Sequence, residues 1–111
     1  MTAAKEKLEG INARLMGLFK AEKQTMMAFN GLTVAASRAG KISPALKELT
    51  AVAIAVTKGC EDCIVYHLAA AKKHGASREE LAEMLAVSVE MAGGTGAVYA
   101  AKAIAYFDEL A

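Results

Sequence analysis

The sequence predicts an all-α protein, a compact bundle of about six helices in one domain spanning residues 1–111 and built to self-associate. Three observations carry this. The apolar fraction is 55% while aromatics make up only 5%, so the apolar content is mostly Ala, Leu, Val, Ile and Met, a helix-forming mixture. Two helix starts are written plainly, at Ser43-Pro44 and at Ser77-Arg78-Glu79-Glu80. Gly40, Gly75 and the pair Gly93-Gly94 supply stops.

Taken in order, a first helix is expected near Thr2 to Gly17 and a second near Glu22 to Ala39, the latter interrupted by Gly31. The third runs from Pro44 to Lys58, with Ser43 capping the free amides and Pro44 at the first helical position. Within it, Ala51 to Val56 alternates small and β-branched residues in the manner of a strand. It is read as helix because no turn signal separates it from Ser43-Pro44 and no other segment offers a pairing strand. Such a helix, apolar all round, belongs at the centre of the bundle. The fourth runs from Cys60 to His74, the fifth from Arg78 to Ala92 behind a capping box of Ser77 and Glu80, and the sixth from Gly96 to Leu110.

Charge excludes several classes of partner. With 13 basic and 12 acidic residues intermixed, the net charge is +1 and no basic patch marks a nucleic-acid binder. The charged start around Lys5, Glu6, Lys7 and Glu9 lacks the apolar core of a secretory signal, and no segment is expected to reach membrane-spanning length. The expected location is therefore cytoplasmic. A chain this short buries little of its surface alone, so the apolar excess predicts burial between subunits.

Chemistry concentrates in Cys60, Cys63 and His67, the pattern C-x-x-C-x-x-x-H. At ~100° per residue the three project from one helix face, and two cysteines three apart at a helix start can form a disulfide. In a reducing compartment such a pair is redox-active, catalytic or metal-binding more often than structural. The free amides and positive dipole end favour a thiolate, whereas Glu61 and Asp62 add negative charge beside the sulfurs. If the third and fourth helices form a hairpin turning near Gly59, Glu48 comes within about one turn of His67 and can orient the imidazole. Nucleophile, base and orienting carboxylate are then all present.

The run from Glu48 to His67, continuing through Ala71-Lys72-Lys73-His74-Gly75-Ala76, resembles the carboxymuconolactone decarboxylase family on its alkylhydroperoxidase D-like side. That motif is a Glu, a Cys twelve residues on, a second Cys three further and a His four beyond, which Glu48, Cys60, Cys63 and His67 match. The resemblance covers roughly the C-terminal two thirds of the chain. It implies an all-helical fold assembled as trimers or hexamers, and thiol-dependent peroxidase (peroxiredoxin-type antioxidant) or disulfide-reductase activity. Decarboxylase members typically lack the cysteine pair. Asp62 stands where some peroxidase members carry a His.

The expected enzyme is a thiol-disulfide oxidoreductase in which Cys63 attacks a small peroxide or disulfide, His67 takes its proton, Glu48 orients His67 and Cys60 resolves the product. No flavin or nicotinamide fingerprint is present, so no cofactor is expected and the reductant must come from a partner. Three rivals remain. One is a zinc site on Cys60, Cys63 and His67, another a purely structural helical module, and the third a cofactor-free lactone decarboxylase-type enzyme. Elsewhere, His74 reads as a helix-end residue and Tyr66 as packing. Met26, Met27, Met84 and Met91 read as core or interface filler, and Gly93-Gly94-Thr95-Gly96 as a corner between helices.

Overall fold

Serine caps organise the middle of the chain. The Ser43 hydroxyl accepts the Leu46 amide at 3.1 Å, and the Ser77 hydroxyl accepts the Glu80 amide at 3.0 Å while the Glu80 carboxylate accepts the Ser77 amide at 2.8 Å. The computed structural model describes residues 1–110, so Ala111, the last residue of the expected domain, lies outside the described residues. Among these there are five helices and no strand: α1 (Ala3–Ala21), α2 (Lys23–Ser37), α3 (Pro44–Lys58), α4 (Glu61–Lys73) and α5 (Arg78–Glu109).

The range of α5 holds the expected fifth and sixth helices as two arms, with Gly93 (φ 64°, ψ −139°) leaving the helical region between them. Arg78 at the start of the first arm pairs with Asp108 near the end of the second at 2.8 Å, so the chain reverses at the corner expected at Gly93-Gly94-Thr95-Gly96. Glycine tolerates that conformation, which turns the chain from the first arm into the second. The first helix runs past its expected end near Gly17 to Ala21, since a single glycine costs a helix only about 1 kcal/mol.

The core lies between the α3–α4 hairpin and α5. Leu49, Val52 and Val56 of α3 meet Ile64 and Leu68 of α4 and Leu81, Leu85, Ala103 and Phe107 of α5. In α3 the buried positions are Glu48, Leu49, Val52, Ala55 and Val56, a helical spacing, which disposes of the strand-like alternation. Ile54 is 51% exposed, so α3 is not buried all round as expected. Ser88, buried on α5, donates to the Ala53 carbonyl at 3.1 Å and ties the two central helices together. Lys72 ties α4 to the far end of α5, donating to the carbonyls of Phe107 and Leu110.

Two faces are left without cover. No residue of α2 is buried, and Met27, Phe29, Leu32 and Val34 point outward. What fixes α2 is its packing on α1 and Lys47, which donates to the Ala36 and Arg38 carbonyls at 3.0 and 2.7 Å. On α5, Val87, Met91 and Val98 are exposed. By length and composition alone the 32 residues of α5 contain a window of mean hydropathy 1.2 that would suffice to cross a membrane, but that stretch is divided at Gly93 into two arms that fold back on each other. Both arms pack in the bundle core, the first through Leu81 and Leu85 and the second through Ala103 and Phe107.

Candidate active site

The site forms where α3 turns into α4. Gly59 adopts a left-handed conformation (φ 68°), its amide donates back to Val56 at 3.2 Å, and the Cys60 amide donates to Ala55 at 3.0 Å. This closes α3 and aims the chain straight into the next helix. Cys60 is the N-cap residue of α4, and its sulfur accepts the Cys63 amide at 3.3 Å. The two cysteines are joined as a disulfide, with Cα atoms 5.3 Å apart. Cys63 is exposed and Cys60 half-buried.

One turn on, His67 meets α3. Its Nδ1 lies 2.7 Å from Oε2 of Glu48, whose side chain is only 11% exposed. An ionised carboxylate can only accept, so this contact places the ring proton on Nδ1 and leaves Nε2 as the basic nitrogen. The hairpin thus brings together all four residues expected from the motif. Tyr66, 39% exposed, stands edge-on to His67 with ring centroids 5.3 Å apart.

The two acidic residues between the cysteines do not stand as bare negative charges. Glu61 is held by Lys7 of α1 at 2.9 Å and by Lys102 of α5 at 2.9 Å, and it accepts the Tyr106 hydroxyl at 2.7 Å. These partners, Lys7 foremost, lower the Glu61 pKa to about 2. Asp62 pairs with Arg14 at 3.0 Å on the surface. Sequence reasoning missed Lys7, Arg14, Lys102 and Tyr106 because they come from helices far along the chain, and no local spacing marks them.

Cys63, Tyr66 and His67 form one wall of a groove of about 720 Å³ whose other walls belong to α1 and α2. Leu15, Met16, Phe19, Met26 and Phe29 make it largely apolar. Of the methionines expected as core or interface filler, Met84 packs against the core, Met26 lines the groove, and Met27 and Met91 lie on the uncovered faces. Nothing in the motif pointed to these α1 and α2 residues. Among the described residues no three His, Cys, Asp or Glu side chains converge on a metal-holding position. The sulfurs are bonded to each other and Nδ1 of His67 is occupied by Glu48.

Fold and site together define an all-helical protein with a cysteine pair at the head of a helix and a Glu–His pair behind it. The chain belongs to the carboxymuconolactone decarboxylase family, whose model matches residues 21–106. An uncharacterised protein of Cupriavidus necator is 50% identical over 109 residues, covering 98% of this chain and 96% of its own length. A Paracoccus denitrificans protein, described as uncharacterised protein 4 in the cox locus, is 35% identical over 83 residues, 75% of each chain. Among solved structures, an apo carboxymuconolactone decarboxylase family protein from Legionella pneumophila superimposes with a TM-score of 0.93 at 36% identity, covering 96% of both chains. A Thermotoga maritima protein gives a TM-score of 0.86 at 27% identity, over 96% of this chain and 93% of that one.

Proposed function

We propose that this protein is a cytoplasmic thiol-disulfide oxidoreductase of alkylhydroperoxidase D type, cycling Cys60 and Cys63 between dithiol and disulfide. The observation that carries this reading is the Glu48–His67 contact of 2.7 Å set behind a joined cysteine pair. In the cycle, Nε2 of His67 takes the proton of Cys63. The Cys63 thiolate then attacks a peroxide oxygen, breaking the O–O bond and leaving a sulfenic acid and an alcohol or water. The Cys60 thiol displaces water from that sulfenic acid to form the disulfide, and two electrons from a thiol reductant restore the dithiol. A disulfide substrate enters by the same attack of Cys63.

Exposure of Cys63 and its place in the groove wall support its role as the attacking residue, while half-buried Cys60 is suited to resolve. The apolar groove suits the hydrocarbon part of an alkyl hydroperoxide. The uncovered faces of α2 and α5 support assembly with further copies of the chain, as trimers or hexamers. The test is a count of free thiols in the reduced protein before and after stoichiometric peroxide, in wild type, Cys60→Ser and Cys63→Ser. Wild type should lose two thiols reversibly. Two thiols surviving peroxide, or a lactone-directed activity that persists without both cysteines, overturns the reading.

A further inference from the structure

The dipeptide between the cysteines is the part of the site that the cycle above leaves without a task. Glu61, the first helical residue of α4, spends both carboxylate oxygens on partners from two other helices. Lys7 and the Tyr106 hydroxyl reach one oxygen, at 2.9 and 2.7 Å, and Lys102 reaches the other at 2.9 Å. Lys102 and Tyr106 lie on the same face of α5 as Tyr99, whose ring closes on Gly59 so tightly that an added Cβ there would sit 3.2 Å from it. The turn is therefore seated on α5 and strapped to α1, with Arg14 to Asp62 as a second strap at 3.0 Å.

The charge count matters as much as the anchoring. Lys7 and Lys102 share one carboxylate, and Arg14 with Asp62 is neutral, so these groups leave a net single positive charge beside the head of α4. The oxidised pair carries no charge and the reduced pair holds a thiolate, so local cations act on one side of the redox equilibrium only. The dipole of α4 adds in the same direction.

We propose that Glu61 is a positioning residue of the redox turn and that the Lys7–Glu61–Lys102 cluster sets the reduction potential of the Cys60–Cys63 pair, a proposal that rests on the thiol-redox reading above. The charged and titratable groups around the turn are Lys7 and Arg14 from α1, Glu48 from α3, Glu61, Asp62, Tyr66 and His67 from α4, and Tyr99, Lys102 and Tyr106 from α5. Arg14 and Asp62 cancel, Glu48 carries one negative charge against His67 that no variant below alters, and Glu61 with Lys7 and Lys102 carries one net positive charge.

The balanced exchange is protein disulfide plus two glutathione thiols giving protein dithiol plus glutathione disulfide. Its equilibrium constant is measured in glutathione buffers at about pH 8, where thiolate is present, together with the thiolate absorbance titration. Glu61→Gln preserves shape and removes the balancing charge. It should shift the equilibrium about threefold to tenfold toward the dithiol, about 14 to 30 mV less negative, and lower the thiol pKa. Lys7→Met and Lys102→Met should each shift both readouts the opposite way. The double variant Glu61→Gln/Lys102→Met, with the net charge restored, should return near wild type. A merely structural strap predicts shifts of one sign for all variants. That result, or shifts below about twofold in every variant, overturns the proposal while wild type still cycles. A wild-type pair that does not exchange with glutathione overturns the redox reading and this proposal with it.

Discussion

Oε2 of Glu48 lies 2.7 Å from Nδ1 of His67, although 19 residues of chain separate them, because the α3–α4 hairpin folds one onto the other. A carboxylate held there accepts the hydrogen bond of the Nδ1 proton, which fixes the tautomer of the neutral ring and aims it. His67→Ala should slow peroxide oxidation of the reduced protein by about 100-fold, the scale of a lost general base. Glu48→Gln should slow it by about 10-fold or more, and the double variant should be little worse than His67→Ala because the pair acts as one unit. Stopped-flow peroxide consumption measures all three; full additivity would separate the two residues into independent roles.

The cysteines should divide their labour. Peroxide on Cys60→Ser should leave a sulfenic acid trapped on Cys63, while Cys63→Ser should oxidise slowly at Cys60, which lies nearly two turns from His67. Mass spectrometry after brief exposure decides it. Faster oxidation of Cys60 than of Cys63 reverses the assignment.

Acid should loosen the seat of the redox turn. Glu61 has a folded-state pKa of about 2 against an ordinary 4.5, lowered first by Lys7 and then by Tyr106 and Lys102. A depressed carboxylate stabilises the fold above its ordinary pKa, and that contribution is lost as pH falls through the folded value. The thermal midpoint should therefore drop between about pH 4.5 and pH 2. Asp108, lowered by Arg78, adds in the same direction. Glu61→Gln should flatten this part of the pH profile, and an unchanged slope would mean the ion pairs contribute no net stability.

Gly59 should resist substitution. A side chain at φ 68° is disfavoured by about 1–2 kcal/mol, and its Cβ would meet the Tyr99 ring at 3.2 Å. Urea denaturation of Gly59→Ala should show a loss of about 1–3 kcal/mol. Tyr99→Ala in the same background should recover the part due to crowding and leave the backbone part.

Assembly should depend on the uncovered face of α2. Sedimentation of wild type at micromolar concentration should give an oligomer, and Phe29→Glu with Leu32→Glu should dissociate it. Both residues are more than half exposed in the single chain, so the charges cost little within it. A wild-type monomer would remove this expectation.

By itself the sequence determined whatever rests on short-range rules. Ser43-Pro44 and the Ser77 capping box start α3 and α5 where the structure has them, because caps involve residues three apart. The fixed spacing from Glu48 through Cys60 and Cys63 to His67 was legible for the same reason, since a hairpin of two regular helices converts residue counts into positions. Tertiary structure decided the rest. How the two arms of α5 meet at Gly93 was set by packing: Gly96 is pressed against the Ser88 carbonyl and Ala92, and Arg78 pairs with Asp108 across the arms. Whether Glu61 and Asp62 burden the thiols with negative charge depended on Lys7, Arg14 and Lys102, brought from α1 and α5. A groove wall made by α1 and α2 has no local signature either. Long-range contacts depend on how whole helices pack, and no count of residues between neighbours encodes that.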